Sequence, residues 1–173
     1  MPAVAAGVRG HDIEEAETFA LLAEVAIALA GFTGVAAAFG GRSREYSAAD
    51  RVRLDAIFLS SACVLAISLC VLTLKSILLD AETVYAYSGL LGAFFLVWFL
   101  YPLTPRTYAL ARDADTSTSL SIVTLGTLQN VISLVLILAN FIVWRSAGPL
   151  LAAASIQIMW SLLLFARLLV RPN

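Results

Sequence analysis

The chain has 173 residues, 61% of them apolar and only 13% charged, with a formal net charge of −1. Soluble domains run roughly 45–50% apolar and about 25% charged. This composition, with a mean hydropathy of +0.91, excludes a soluble globular domain, a disordered chain and a disulfide-stapled one. What remains is an all-α integral membrane protein, because lipid leaves every backbone polar group to be satisfied internally.

Five apolar stretches, 18–40, 56–79, 84–103, 120–144 and 150–170, each hold 20 to 25 residues. About 20 residues cross a hydrocarbon core of about 30 Å, so the chain reads as one domain of five transmembrane helices. Only three of its 23 charges, Glu24, Lys75 and Arg167, fall inside the stretches.

The first stretch follows the acidic run His11 to Glu17. A secretory signal needs positive charge there, so this is a retained span. It carries Ala26, Ala30, Gly34 and Ala38 at four-residue spacing, a small-residue ladder for close helix packing, within the chain or between protomers. Glu17, Glu24 and Gly31 share a face at seven-residue spacing. A carboxylate inside a span is read as functional by default, and this stripe could draw in cations.

Between the first two spans, residues 41–53 carry four arginines among Glu45 and Asp50. They set topology or meet anionic headgroups. Ser47-Ala48-Ala49-Asp50 has the form of a capping box, which starts the second helix near Ala48 and carries it to about Leu79. Asp55 opens its apolar part. Cys63 and Cys70 lie roughly 10 Å apart along it, too far for a disulfide, and read as small buried hydrophobes. Ser61, Ser68 and Lys75 share a face. Lys75 is the best partner for Glu24, as a plain ion pair or as a functional site.

The third span has Tyr85 and Tyr87 at one end and Trp98 and Tyr101 at the other, the pattern of interfacial aromatic belts. Pro102 and Pro105 are expected to stop it, and Asp113–Ser119 reads as a solvated loop. The fourth span is the most polar. Gly126, Gln129, Ser133 and Asn140 fall within about 60° of one another at 100° per residue, flanked by Asn130. Gly148-Pro149 is expected to break the chain before the fifth span, which answers with Gln157 and Ser161. These six polar side chains form interhelical hydrogen bonds or line a hydrated path. Trp160 falls mid-span, against neighbours or a pocket. Arg167 could pair with Asp55 or snorkel to the headgroups.

Eight basic residues fall on one side of this arrangement (Arg42, Arg44, Arg51, Arg53, Arg106, Arg112, Arg167 and Arg171) and three on the other (Arg9, Lys75 and Arg145). The positive-inside rule then sets the N-terminus outside and the C-terminus inside. There is one histidine, His11, in a polar tail, so no metal and no cofactor is expected. No catalytic motif is visible, an intramembrane lipid enzyme built on Asp55 or Glu24 would lack a paired acid and base, and no basic excess marks a nucleic-acid partner.

The run Ala28-Leu29-Ala30-Gly31-Phe32-Thr33-Gly34-Val35, with Gly40-Gly41-Arg42 and Asp50-Arg51-Val52-Arg53-Leu54, resembles small uncharacterised bacterial polytopic membrane proteins over the first third of the chain. The resemblance implies a bacterial inner-membrane setting and carries over no activity. Two functions fit: a homo-oligomeric channel or transport-type assembly, or a non-catalytic accessory or scaffold subunit of a larger membrane complex. In the first, Glu17, Glu24 and Lys75 would serve ion entry or gating, and Gln129, Asn130 and Gln157 a polar path.

Overall fold

The computed structural model describes residues 2–43, 47–77, 80–112 and 119–169, with the side chains of 2–13, 39–43 and 100 left aside. The expected loop at 113–118, Arg44 and Arg171 lie outside the described residues. Five helices follow one another: α1 Pro2–Ser43, α2 Ala48–Ser76, α3 Ala81–Arg112, α4 Leu120–Ala139 and α5 Ala147–Leu169. Each contains a segment long and apolar enough to cross a membrane, in α1 Glu14–Ala38 and in α4, with the turn after it, Leu120–Trp144. No strand occurs among the described residues.

The starts of α2 and α3 lie outside their apolar stretches, at capping residues. Ser47 starts α2 as expected. Its hydroxyl accepts from the Asp50 amide at 3.2 Å, and Asp50 Oδ2 accepts from the Ser47 amide at 3.3 Å. The α2 helix ends at Ser76, with Ile77 as its C-cap. Asp80 starts α3, its carboxylate accepting from the Thr83 amide at 2.9 Å. The Thr83 hydroxyl and amide hold that carboxyl below its ordinary range.

Two expected breaks are not breaks. The α3 helix runs through Pro102 and Pro105 to Arg112. A proline removes one helical donor and crowds the carbonyl four residues back, but in membrane proteins neighbouring helices and Ser or Thr side chains re-satisfy the freed groups. The chain also turns before Gly148-Pro149, which sit in the first turn of α5, where a proline's missing N–H costs nothing. The turn itself is made by a π-helical stretch, Asn140–Trp144, and by Arg145 in the left-handed region at φ 44°. The Arg145 amide closes it on the Asn140 carbonyl at 2.8 Å.

In the packed bundle α2 is central, lying against α1, α3 and α5, while α4 spans α3 and α5. One core cluster joins Phe19, Ile67, Val71, Tyr85, Ile137 and Leu150. A smaller one joins Ala26, Leu29, Val64, Ala154 and Ile158. On α1 the inward positions are 15, 19, 22, 26, 29 and 33, an alternating four–three spacing that keeps one stripe on a neighbour. The small-residue ladder follows a four-residue spacing instead, which drifts about 40° per step. It therefore walks out of the seam: Ala26 is buried, Ala30 half-buried, Gly34 and Ala38 exposed.

Two glycines permit close approach. A Cβ at Gly92 would stand 2.6 Å from Ile67, and one at Gly126 would stand 2.6 Å from the Trp160 indole. Gly126 is thus the seat of the mid-span tryptophan. Gly126→Ala should displace that ring and destabilise the protein by about 1–3 kcal/mol, read as a lowered Tm in detergent. A Tm equal to wild type would show that the indole moves away freely.

Candidate functional site

At the end of the bundle where α2 stops, three helices meet through polar side chains. Lys75 Nζ of α2 lies 3.4 Å from Glu15 Oε2 of α1. The Tyr85 hydroxyl of α3 donates to the same carboxylate oxygen. Lys75 also stands over the Tyr85 ring, 5.2 Å from its centroid, where an ammonium meets the negative face of the π-system. Phe19, one turn along α1 from Glu15, stacks on the same ring at 6.4 Å. Tyr85 is 3% exposed, so it is a core residue and not, like Tyr87, an exposed belt aromatic.

This differs from the expected pairing of Lys75 with Glu24, and helix geometry gives the reason. Nine residues separate Glu15 from Glu24, about two and a half turns at 3.6 per turn. The two carboxylates therefore point to opposite sides of α1. Glu15 faces α2 and α3, while Glu24 is exposed on the far side with Glu17, Ala28, Gly31 and Val35. Nothing lies within 4 Å of a Cβ built at Gly31 or Gly34. Glu24 has no hydrogen-bond or ion-pair partner among the described residues.

The polar face of α4 lies against α5 within the bundle. Gly126, Ser133 and Asn140 are buried, Gln129 and Asn130 half-buried, and Gln157 and Ser161 of α5 are buried opposite them. Gln157 Nε2 donates to Asn130 Oδ1 at 2.9 Å, and Asn130 Nδ2 donates to the Gly126 carbonyl at 2.9 Å. Ser161 donates to the Gln157 carbonyl at 3.0 Å. Asn140 does different work, about two turns beyond Ser133. It is 0% exposed, donates to the Tyr85 carbonyl at 3.4 Å and accepts from the Ser146 amide at 3.0 Å. It pins the α4–α5 turn to α3. Both amide atoms of Gln129, the hydroxyls of Ser68, Ser88 and Ser133, and Gln157 Oε1 are enclosed without a hydrogen-bond partner.

At the opposite end, Asp55 and Arg167 are both exposed and form no ion pair among the described residues. Arg53 instead pairs with Asp50 at 3.2 Å, one turn back on α2. Cys63 is buried and Cys70 half-buried, both free thiols. No cluster of metal-ligating side chains occurs among the described residues. Sequence reasoning missed Glu15 and Tyr85, although their spacing from Phe19 and Leu22 on the α1 stripe marks Glu15 as inward. No family model, no curated protein and no solved structure matches the chain.

A hydrogen bond to a charged acceptor contributes about 1.5–3 kcal/mol. Tyr85→Phe keeps the ring against Phe19 and Lys75 and removes only the hydroxyl. It should lower stability by about that amount, measured by thermal unfolding in detergent. A Tm unchanged from wild type would deny the hydroxyl that part.

Proposed function

We propose that this chain is a small, non-catalytic protein of the bacterial inner membrane, with its N-terminus outside, that assembles with copies of itself into a channel or transport-type complex. The outward half of α1 forms the seam, and Glu24 stands on the ion path with Glu17 at its entrance. One observation carries the reading: Glu24, within the membrane-length segment of α1, is exposed on a face with no partner among the described residues. On insertion scales a charged side chain at the centre of a span costs roughly 2.5–3.5 kcal/mol. That cost falls away if the face meets a hydrated axis shared by several protomers. Ala28, Gly31 and Ala38 on the same stripe leave room for a second backbone to approach.

A carboxylate ring would favour cations and raise their local concentration. The polar strip at Gln129, Asn130 and Gln157 is less suited to conduct ions, since it carries no charge and Gln157 Nε2 is already bonded to Asn130 Oδ1. Lys75 belongs to a structural tie with Glu15 in this reading.

Two measurements test it. In a background with Cys63→Ala and Cys70→Ala, oxidation of membranes should give disulfide-linked dimers from Ala28→Cys or Gly31→Cys and none from Ala26→Cys. In proteoliposomes, Glu24→Gln should reduce cation flux about tenfold, equivalent to about 1.4 kcal/mol. Absence of flux in the wild type, or equal flux in both proteins, would sink the transport reading. Stoichiometric recovery with a different membrane subunit, without self cross-linking, would make the chain an accessory or scaffold subunit instead.

A further inference from the structure

The bundle is closed by the Glu15–Lys75–Tyr85 tie at one end and open at the other. There α2, α3, α4 and α5 surround an open-mouthed cleft with a cavity of about 100 Å³. Its walls are apolar: Val52, Leu59, Leu96, Phe99 and Leu164, with Trp160 on Gly126. The polar groups among its walls are largely committed already. Thr107 donates to the Thr104 carbonyl at 2.7 Å, Thr127 to the Val123 carbonyl at 2.9 Å, and Asn130 to the Gly126 carbonyl at 2.9 Å. A sugar or nucleotide would find few donors there, whereas a hydrocarbon chain requires none.

The charged groups in the lining are two arginines, Arg53 and Arg167. Arg53 is held by Asp50, which is itself buried and fixed in the α2 capping box. Arg167 has no carboxylate partner among the described residues, so the pair presents one uncompensated positive charge. Seven residues separate Arg53 from Ser60, and seven separate Arg167 from Trp160. Each interval is about 10 Å of helix, so the Arg167 backbone stands about that far along α5 from Trp160. An apolar slot of that depth with positive charge at one end is complementary to an acyl chain carrying an anionic headgroup.

We propose that this cleft binds one anionic phospholipid drawn from the surrounding bilayer, its phosphate at Arg53 and Arg167 and one acyl chain lying along Phe99 and Leu164 toward Trp160. The site belongs to a single chain and does not depend on assembly through α1.

Trp160 supplies the reporter. In a Trp98→Phe, Trp144→Phe background, nanodiscs doped with phosphatidylglycerol brominated on its acyl chains should quench Trp160 more strongly than equal mole fractions of brominated phosphatidylcholine. Arg167→Gln and Arg53→Gln should each lower that preference by about fivefold, the contribution of one basic side chain to an anionic surface. Ala56→Phe, which narrows the slot without touching charge, should reduce quenching by both lipids. Native mass spectrometry of the wild type should show one retained phosphatidylglycerol per chain. Equal quenching by the two lipids, or a preference unchanged when both arginines are replaced, overturns the proposal. So does competition by glycerol 3-phosphate alone, which would mean an anion site without a chain slot. Because the two arginine variants and Ala56→Phe act on different parts of the cleft, unfolding of any one leaves the others decisive.

Discussion

The rotation of α1 is fixed by Glu15, and much of the molecule's chemistry follows from that. With Glu15 held by Lys75 and Tyr85, the helix must present Phe19, Leu22, Ala26 and Leu29 to its neighbours and Glu24 to the outside. Turning α1 to bring Glu24 inward would carry Glu15 and Phe19 out of the core together. That would break a charged hydrogen bond and expose a fully buried aromatic ring, each worth about 1.5–3 kcal/mol. The exposure of Glu24 is therefore imposed by packing elsewhere on the same helix. A carboxylate kept against such a penalty, on a stripe of small residues, is the feature from which the functional reading grows.

The two ends of the bundle are built to different rules. At the tied end, an ion pair, a cation–π contact and the Asn140 cap lock α1, α2, α3 and the α4–α5 turn to one another. At the other end the helices enclose an open-mouthed cleft, and much of one wall is the stretch of α3 beyond Pro102: Leu103, Thr104, Thr107 and Leu110. Had α3 ended at its prolines, that wall would be missing. The continuation of the helix thus does more than lengthen an element, since it supplies apolar surface opposite Leu164.

How much of this was legible in the sequence depends on which physical signal each feature uses. Five helices were readable because hydropathy over about 20 residues is a bulk property of the lipid solvent. The α2 start was readable because a capping box is local and chemically specific, and Ser47 with Asp50 forms it. That the polar residues of α4 share one face followed from helical phase, and burial shows that face turned into the bundle. The partner of Lys75 is Glu15 and not Glu24, because angular phase on α1 decides which carboxylate faces α2. Glu15 lay outside the apolar stretch beginning at 18, yet it lies on the same helix and on the α1 contact stripe. The end of α3 was misplaced because a proline's local cost was weighed without the tertiary contacts that offset it. The cleft was invisible for a further reason: its lining comes from four helices, and no single segment carries its signature.

The buried polar groups at the centre divide by type, and that division bears on what the interior can do. Ser61 and Ser161 satisfy themselves on carbonyls of their own helices, at 2.9 and 3.0 Å. Ser68, Ser88 and Ser133, equally buried, have no hydrogen-bond partner. Their small size still serves close helix approach, as serine does throughout membrane proteins. Gln129 is a different case, because an amide left unpaired in an apolar setting costs on the order of 1–3 kcal/mol. Its neighbour Asn130 avoids that cost by accepting from Gln157 and donating to Gly126. The strip is thus half closed on itself and half unmet, unlike the tied end, where the polar groups of three helices converge on one carboxylate. The strip carries no ionised side chain, whereas the outer side of α1 presents the carboxylates Glu17 and Glu24, which is why the proposed path runs along α1 and not through the interior of one bundle.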